Sequence, residues 1–95
     1  MTDQTIDISC TGPTPNDVTV ANGDKVTFDN TTGASVTITF SGNGIFNPSP
    51  GASTTIDKDA SKTYTIGNAK ASDEQDYSYP DCTPELDART GKIRI

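Results

Sequence analysis

Apolar and polar residues alternate in short runs along most of this chain, and an alternation of period two is typical of β-strands with one buried face. Gly, Pro, Asn and Asp separate the runs and favour turns. The pattern therefore predicts an all-β fold, a sandwich or barrel of seven or eight short strands with Greek-key connections. The predicted inward positions are Ile6, Ile8 and Cys10; Val18 and Val20; Val26 and Phe28; Val36, Ile38 and Phe40; Ile56; Tyr64 and Ile66; Tyr77 and Tyr79; and Ile93 and Ile95.

The connections between the runs are predicted from their turn residues. Asn22-Gly23 favours a tight hairpin that pairs the second run with the third, and the polar residues 58–61 favour a hairpin between the fifth and sixth. Prolines interrupt residues 11–16, which we interpret as a loop or an edge crossing. Residues 41–53 form a predicted long surface loop that Ile45 and Phe46 anchor to the core.

Composition limits the class of protein further. The 95 residues suit one domain, residues 1–95, and 31% of them are hydrophobic, with a mean hydropathy of −0.55. Thr accounts for sixteen residues, which fits half-exposed strands better than disorder. No apolar run is long enough to span a membrane, and the net charge of −6 argues against nucleic acid and anionic membranes as partners.

Catalytic and metal-binding motifs are weak in this sequence. The chain has no His, so no imidazole could activate its many hydroxyl groups, and we expect a protein that is not an enzyme. Residues 57–68 begin like a calcium loop but have Lys62 and Asn68 at the positions that need Gly and Glu. The acidic run 72–76 is interpreted as a solvated loop, and the sequon at Asn30 as part of a turn.

Two cysteines, Cys10 and Cys82, lie near opposite ends of the chain. They are too far apart for a CxxC motif, which leaves a structural disulfide, two buried thiols, or one metal thiolate. The scarcity of large apolar side chains favours a disulfide if the compartment is oxidising.

Three segments together resemble the cupredoxin family, the fold of plastocyanin and pseudoazurin. They are PNDVTVANGDKVTFDN at residues 15–30, VTITF at residues 36–40, and YSYPDCTPELDARTGKIRI at residues 77–95. In order and spacing they are similar to the family's second-strand hairpin, the strand that follows its first copper histidine, and its closing copper loop. The resemblance covers residues 5–95 and implies a cupredoxin-like β-sandwich.

The resemblance also implies where copper ligands would lie. A blue copper centre uses two His, one Cys and a weak axial Met. The corresponding positions here are Val36, Cys82, Glu85 and Arg89, so Cys82 alone keeps a family ligand. The resemblance therefore implies the fold without the copper site, and we expect no metal and no cofactor.

The resemblance implies a binding or accessory module that meets a protein partner at the end formed by residues 11–15, 32–36 and 83–90. It also places Cys10 beside the Cys82 loop, which implies a disulfide between them. We expect a monomer that is exported to the periplasm or outside the cell, with any leader peptide absent from this sequence. The alternative is a copper-handling or thiol-redox protein that uses Cys10 and Cys82.

Overall fold

A computed structural model describes residues 3–42, 45–46, 51–67, 69–70, 72–80, 82 and 88–95. These residues form nine strands in two sheets, and none of them forms a helix that could cross a membrane. The four-stranded sheet has the order β2-β1-β4-β7, and the five-stranded sheet has the order β3-β9-β8-β5-β6. The strands are β1 Gln4–Ser9, β2 Gly12–Thr14, β3 Asp17–Thr19, β4 Lys25–Asn30, β5 Val36–Gly42, β6 Ser53–Ile56, β7 Ser61–Thr65, β8 Glu74–Tyr79 and β9 Arg89–Arg94.

The core lies between the two sheets and contains most of the inward residues that the alternation predicts, together with Ala69. Of the predicted inward residues, Cys10, Phe40, Tyr64 and Ile95 are half-buried. Ile6, Ile8, Ile38, Ile56 and Ile93 are fully buried. Aromatic rings pack at its centre, where Phe28 lies 5.3 Å from Tyr77 between ring centroids. The anchoring role predicted for Ile45 and Phe46 is confirmed, since they are 0% and 5% exposed. The predicted β-sandwich is therefore confirmed.

The strand count exceeds the predicted seven or eight because residues 12–14 pair with β1, although Pro13 lies within them. Pro is tolerated there because β2 is an edge strand, where one side of the backbone needs no partner. The acidic run 72–76 was also misjudged as a loop. Glu74 and Asp76 belong to β8, and they face the basic side chains of β9 across the outer surface of the sheet.

The predicted hairpin at Asn22-Gly23 is wrong. β3 pairs with β9 and β4 pairs with β1 and β7, so the turn carries the chain from one sheet to the other. Its polar groups bond to a different segment, because the Asn22 amide exchanges two hydrogen bonds of 2.9 Å with the Ala69 backbone. Gly23 N donates to the Ile66 carbonyl in the same way. The polar groups of Asn22 and Gly23 are therefore hydrogen-bonded although the strands on either side of the turn do not pair with each other.

The predicted hairpin at residues 58–61 is wrong for a similar reason. β6 pairs with β5 and β7 pairs with β4, so residues 57–60 also cross between the sheets. The inward orientation predicted for Ile56 and Ile66 is confirmed, and Tyr64 is half-buried beside Phe46. The crossing is held by Asn30, whose backbone N donates to the Ala60 carbonyl.

Candidate functional site

The Cys10–Cys82 disulfide is the central feature of the candidate site. The two Cα atoms are 5.2 Å apart, which is within the range that a bridge requires. Cys10 follows the last residue of β1, rather than lying within that strand as the alternation predicted. Cys82 follows β8 by three residues and is exposed, whereas Cys10 is half-buried. The bridge therefore joins the end of the first strand to the segment that leads towards the last.

Asn30 organises the loops beside this bridge. Its side chain is 1% exposed, and its Nδ2 donates to the carbonyl oxygens of Ala34, Ile56 and Asp57 at 2.7–3.1 Å. Its Oδ1 accepts from the backbone N and the hydroxyl of Thr32. An amide buried and bonded in this way is not accessible for glycosylation in the folded chain. The sequence signal for this role is that Asn30, a polar residue, continues the inward-facing positions of Val26 and Phe28.

Tyr79 fixes the end of β1 from the opposite sheet. Its hydroxyl donates to the Ser9 carbonyl oxygen at 2.9 Å, and the side chain is 2% exposed. Thr31 adds two bonds to the Ile8 carbonyl oxygen, from its backbone N at 2.8 Å and from its hydroxyl at 3.0 Å. The backbone before Cys10 is therefore held by hydrogen bonds as well as by the disulfide.

Tyr77 contrasts with Tyr79, because its buried hydroxyl has no hydrogen-bond partner among the described residues. Burial, and then the negative charges of Tyr79 and Asp17, raise the pKa of the Tyr77 phenol well above its ordinary value. The unfolded chain begins to release this proton near pH 10, while the folded chain retains it. The Tyr77 phenol therefore contributes less to stability as the pH rises above about 10.

We expect Tyr77→Phe and Tyr79→Phe to change stability in opposite directions. Removing the unpartnered hydroxyl of Tyr77 should leave the free energy of unfolding unchanged or raise it by up to ~1 kcal/mol. Removing the hydroxyl of Tyr79 should lower it by about 1–2 kcal/mol, because a buried bond to Ser9 is lost. Urea unfolding at pH 7 gives the free energy of unfolding of both variants. A destabilised Tyr77→Phe variant would contradict the finding that the Tyr77 hydroxyl has no hydrogen-bond partner in the described part of the chain.

Two of the four positions that correspond to copper ligands meet in one cleft. Val36 and Cys82 line it together with Cys10, Thr32, Ala34, Ser35, Thr37 and Pro80, and its volume is about 430 Å³. Arg89 lies outside this cleft, beside Gly12 in a neighbouring groove that Thr11 and Ala88 also line. Glu85 lies outside the described residues.

The residues present do not fit a blue copper ion. The sulfur of Cys82 is bonded to Cys10, so it offers no thiolate while the bridge is intact. Val36 has an aliphatic side chain and is 6% exposed, and Arg89 carries a positive charge. Within the described part of the chain, no three His, Cys, Asp or Glu side chains are grouped as metal ligands would be.

The segments that line the cleft and the neighbouring groove carry almost no charge. Residues 10–16, 32–37, 80, 82, 88 and 90 contain no ionisable side chain apart from the bridged cysteines, and Arg89 lies among them. The exposed Asp57, Lys58 and Asp59 follow β6 at the same end, where Asn30 bonds to the carbonyl oxygens of both Ala34 and Asp57. Gly33, Ala34, Ser35 and Pro80 are exposed. In the sequence, residues 81–87 add Asp81, Glu85 and Asp87 and no basic residue.

Comparison with solved structures establishes the fold. The chain is similar to a methionine-to-alanine mutant of amicyanin in the Cu(I) state, with a TM-score of 0.66 and 19% identity over 95% of this chain and 78% of that one. It is similar also to the reduced Cu(I) form, at pH 4, of a proline-to-glycine mutant of amicyanin, with a TM-score of 0.64, 20% identity and the same coverage. Amicyanin is a cupredoxin, so the β-sandwich is cupredoxin-like. No family model and no curated protein matches the chain significantly.

Proposed function

We propose that this cupredoxin-like β-sandwich is a copper-free, non-catalytic binding or accessory module whose partner surface is the end around Cys82. The observation that carries the proposal is the Cys10–Cys82 disulfide. In the solved relatives described as Cu(I) proteins the fold is associated with copper. Here the cysteine at the corresponding position is a half-cystine, so the loops at this end have a role other than holding a metal.

The chemistry of the end surface supports contact with a protein. Ala34, Ser35 and Pro80 are exposed and uncharged, and a surface of this kind loses little hydration free energy when it is covered. The acidic residues of segment 81–87 favour a partner with basic side chains around its contact area. We therefore expect a basic partner and a complex that weakens as salt is added.

Export fits the same proposal. Disulfides form and persist in oxidising compartments such as the periplasm and the extracellular space. The bridge and the fold are compatible with such a location. A neutral-to-acidic module outside the reducing cytosol would meet its partner with the bridge intact.

We predict that the protein forms no blue copper centre. With Val36 and Arg89 at two ligand positions, Cu(II) added to the reduced protein should give no intense thiolate charge-transfer band in the visible spectrum. The oxidised protein serves as the control, because its sulfurs are bonded to each other. An intense blue band in the reduced sample would overturn this prediction and favour the alternative of a copper-handling protein.

We predict that a bound partner covers the Cys82 end. Ala34→Arg should abolish retention of the partner from the native exported fraction, because a long cation would occupy the neutral, exposed surface. Ala52→Arg is the matched control, since Ala52 is equally exposed but does not line the cleft. Amide shift changes in the labelled protein should then map to residues 11–15 and 32–36. Shifts confined to the opposite end, around Ala21 and Lys25, would contradict the proposed surface.

A further inference from the structure

The two cysteines of the bridge differ in their exposure to solvent. Cys82 is exposed, while Cys10 is half-buried at the end of β1. The Cys10 Sγ lies 3.7 Å from the Thr32 carbonyl oxygen. This contact covers one side of the Cys10 sulfur. An attacking thiolate therefore has easier access to Cys82 than to Cys10.

The structure also accommodates the product at Cys10. Once the bridge opens, a Cys10 thiol can donate its S–H to the Thr32 carbonyl oxygen. The strand end remains fixed by the bonds from Tyr79 to Ser9 and from Thr31 to Ile8. A Cys10 held as a thiol is a poor nucleophile, so it is slow to displace a group from Cys82.

The cleft beside the bridge provides room for an incoming group. Its volume of about 430 Å³ is within the range of small-molecule sites, ~300–1,000 Å³. Apart from the two cysteines, it is lined by side chains without charge: Thr32, Ala34, Ser35, Val36, Thr37 and Pro80. The carbon part of a small thiol can lie there while its sulfur reaches Cys82.

We propose that Cys82 is an acceptor site for thiols. A thiolate attacks Cys82 Sγ, the Cys10–Cys82 bond breaks, and its electron pair leaves on Cys10 Sγ, which takes a proton from water. The incoming thiol is oxidised to a mixed disulfide on Cys82, and Cys10 is reduced, so no other oxidant is needed. The exchange does not depend on the proposed partner, and either proposal can fail while the other holds.

Charge selects among the thiols that react. The chain carries a net charge of −6, and Asp81, Glu85 and Asp87 lie close to Cys82 in the sequence. A cationic thiol is therefore favoured over an anionic one, and added salt reduces the difference.

The test uses the oxidised full chain with excess cysteamine or excess 2-mercaptoethanesulfonate, at equal thiolate concentrations. Samples are quenched in acid, alkylated and mapped by peptide mass spectrometry. We expect the adduct on Cys82 and the alkyl group on Cys10 in about tenfold excess over the reverse pattern, and a several-fold faster reaction with cysteamine at low salt. An adduct divided equally or found mainly on Cys10, equal rates for the two thiols, or an intact bridge would each overturn the proposal.

A second pair of variants separates exchange in the folded protein from exchange after unfolding. Ala34→Trp fills the cleft and should slow the reaction several-fold, whereas the exposed Ala52→Trp should leave the rate unchanged. The observed rate should rise in proportion to thiolate concentration. A rate that is independent of thiol concentration, or equal in the two variants, would show that the bridge opens only in the unfolded chain and would refute the site.

Discussion

Cys10→Ser is expected to lower the free energy of unfolding by roughly 4 kcal/mol, and Cys82→Ser by the same amount. The bridge closes a loop of 72 residues, and the chain-entropy model assigns a loop of that length roughly this contribution. The main effect lies in the unfolded chain, which gains conformational freedom when the bridge is removed. Against a typical stability of about 5–15 kcal/mol, this is a large fraction of the total.

Denaturant unfolding of the oxidised protein, the reduced protein and the variants tests this expectation. The double variant should be no less stable than either single variant, because one crosslink is lost in every case. The midpoint of thermal unfolding should fall by roughly 15–30 °C for a chain of this size. If a strong reductant leaves the midpoint unchanged, the bridge is not a determinant of stability.

Gly91→Ala is expected to lower the free energy of unfolding by about 3 kcal/mol, which is a large effect for the addition of one methyl group. A Cβ on Gly91 would lie 2.8 Å from Tyr77 Cε2, and closer still to its Cζ and hydroxyl oxygen. Gly91 is opposite Tyr77 in the pairing of β8 with β9, and the Tyr77 ring fills the space that a side chain would occupy. Phe28 packs against the other part of that ring, so the ring cannot move aside without disturbing the core.

A double-mutant cycle isolates this clash. In a Tyr77→Leu background the same Gly91→Ala change should cost much less, because the smaller side chain does not cover Gly91. Gly33→Ala is a comparison at a site where a Cβ meets no atom within 4 Å but where φ is +87°, and about 1 kcal/mol is expected there from backbone strain. If Gly91→Ala lowers the free energy of unfolding equally in the Tyr77 protein and in the Tyr77→Leu variant, the clash with the Tyr77 ring is not the cause.

The sequence predicts which side chains of a strand point inward better than it predicts which strands pair with each other. Alternation identifies Ile38, Ile56 and Ile93 as inward because a buried side chain leaves a local signature of period two. Pairing depends on contacts between distant segments, and both predicted hairpins are wrong because their turns cross between sheets. Asn22-Gly23 has the residues of a tight hairpin, but its hydrogen bonds go to Ile66 and Ala69.

The candidate site was predictable in part. The resemblance to cupredoxins placed Cys10 beside Cys82, and the structure confirms the bridge. The different exposure of the two cysteines and the cleft beside them depend on where β1 and β8 end, which no local pattern specifies. Asn30 was assigned to a turn, although its amide in fact joins two crossings between the sheets.

The position of β3 has a consequence for how the chain folds as it is synthesised. β3 begins at Asp17, yet its pairing in the five-stranded sheet is with β9, and Val18 is opposite Ile93. This sheet cannot be completed before residues 89–94 have been synthesised, because β9 is the strand with which β3 pairs. Pairings between segments so distant in sequence form slowly. Val18 and Val20, which are buried in the folded chain, therefore stay accessible to other molecules until β9 pairs with β3.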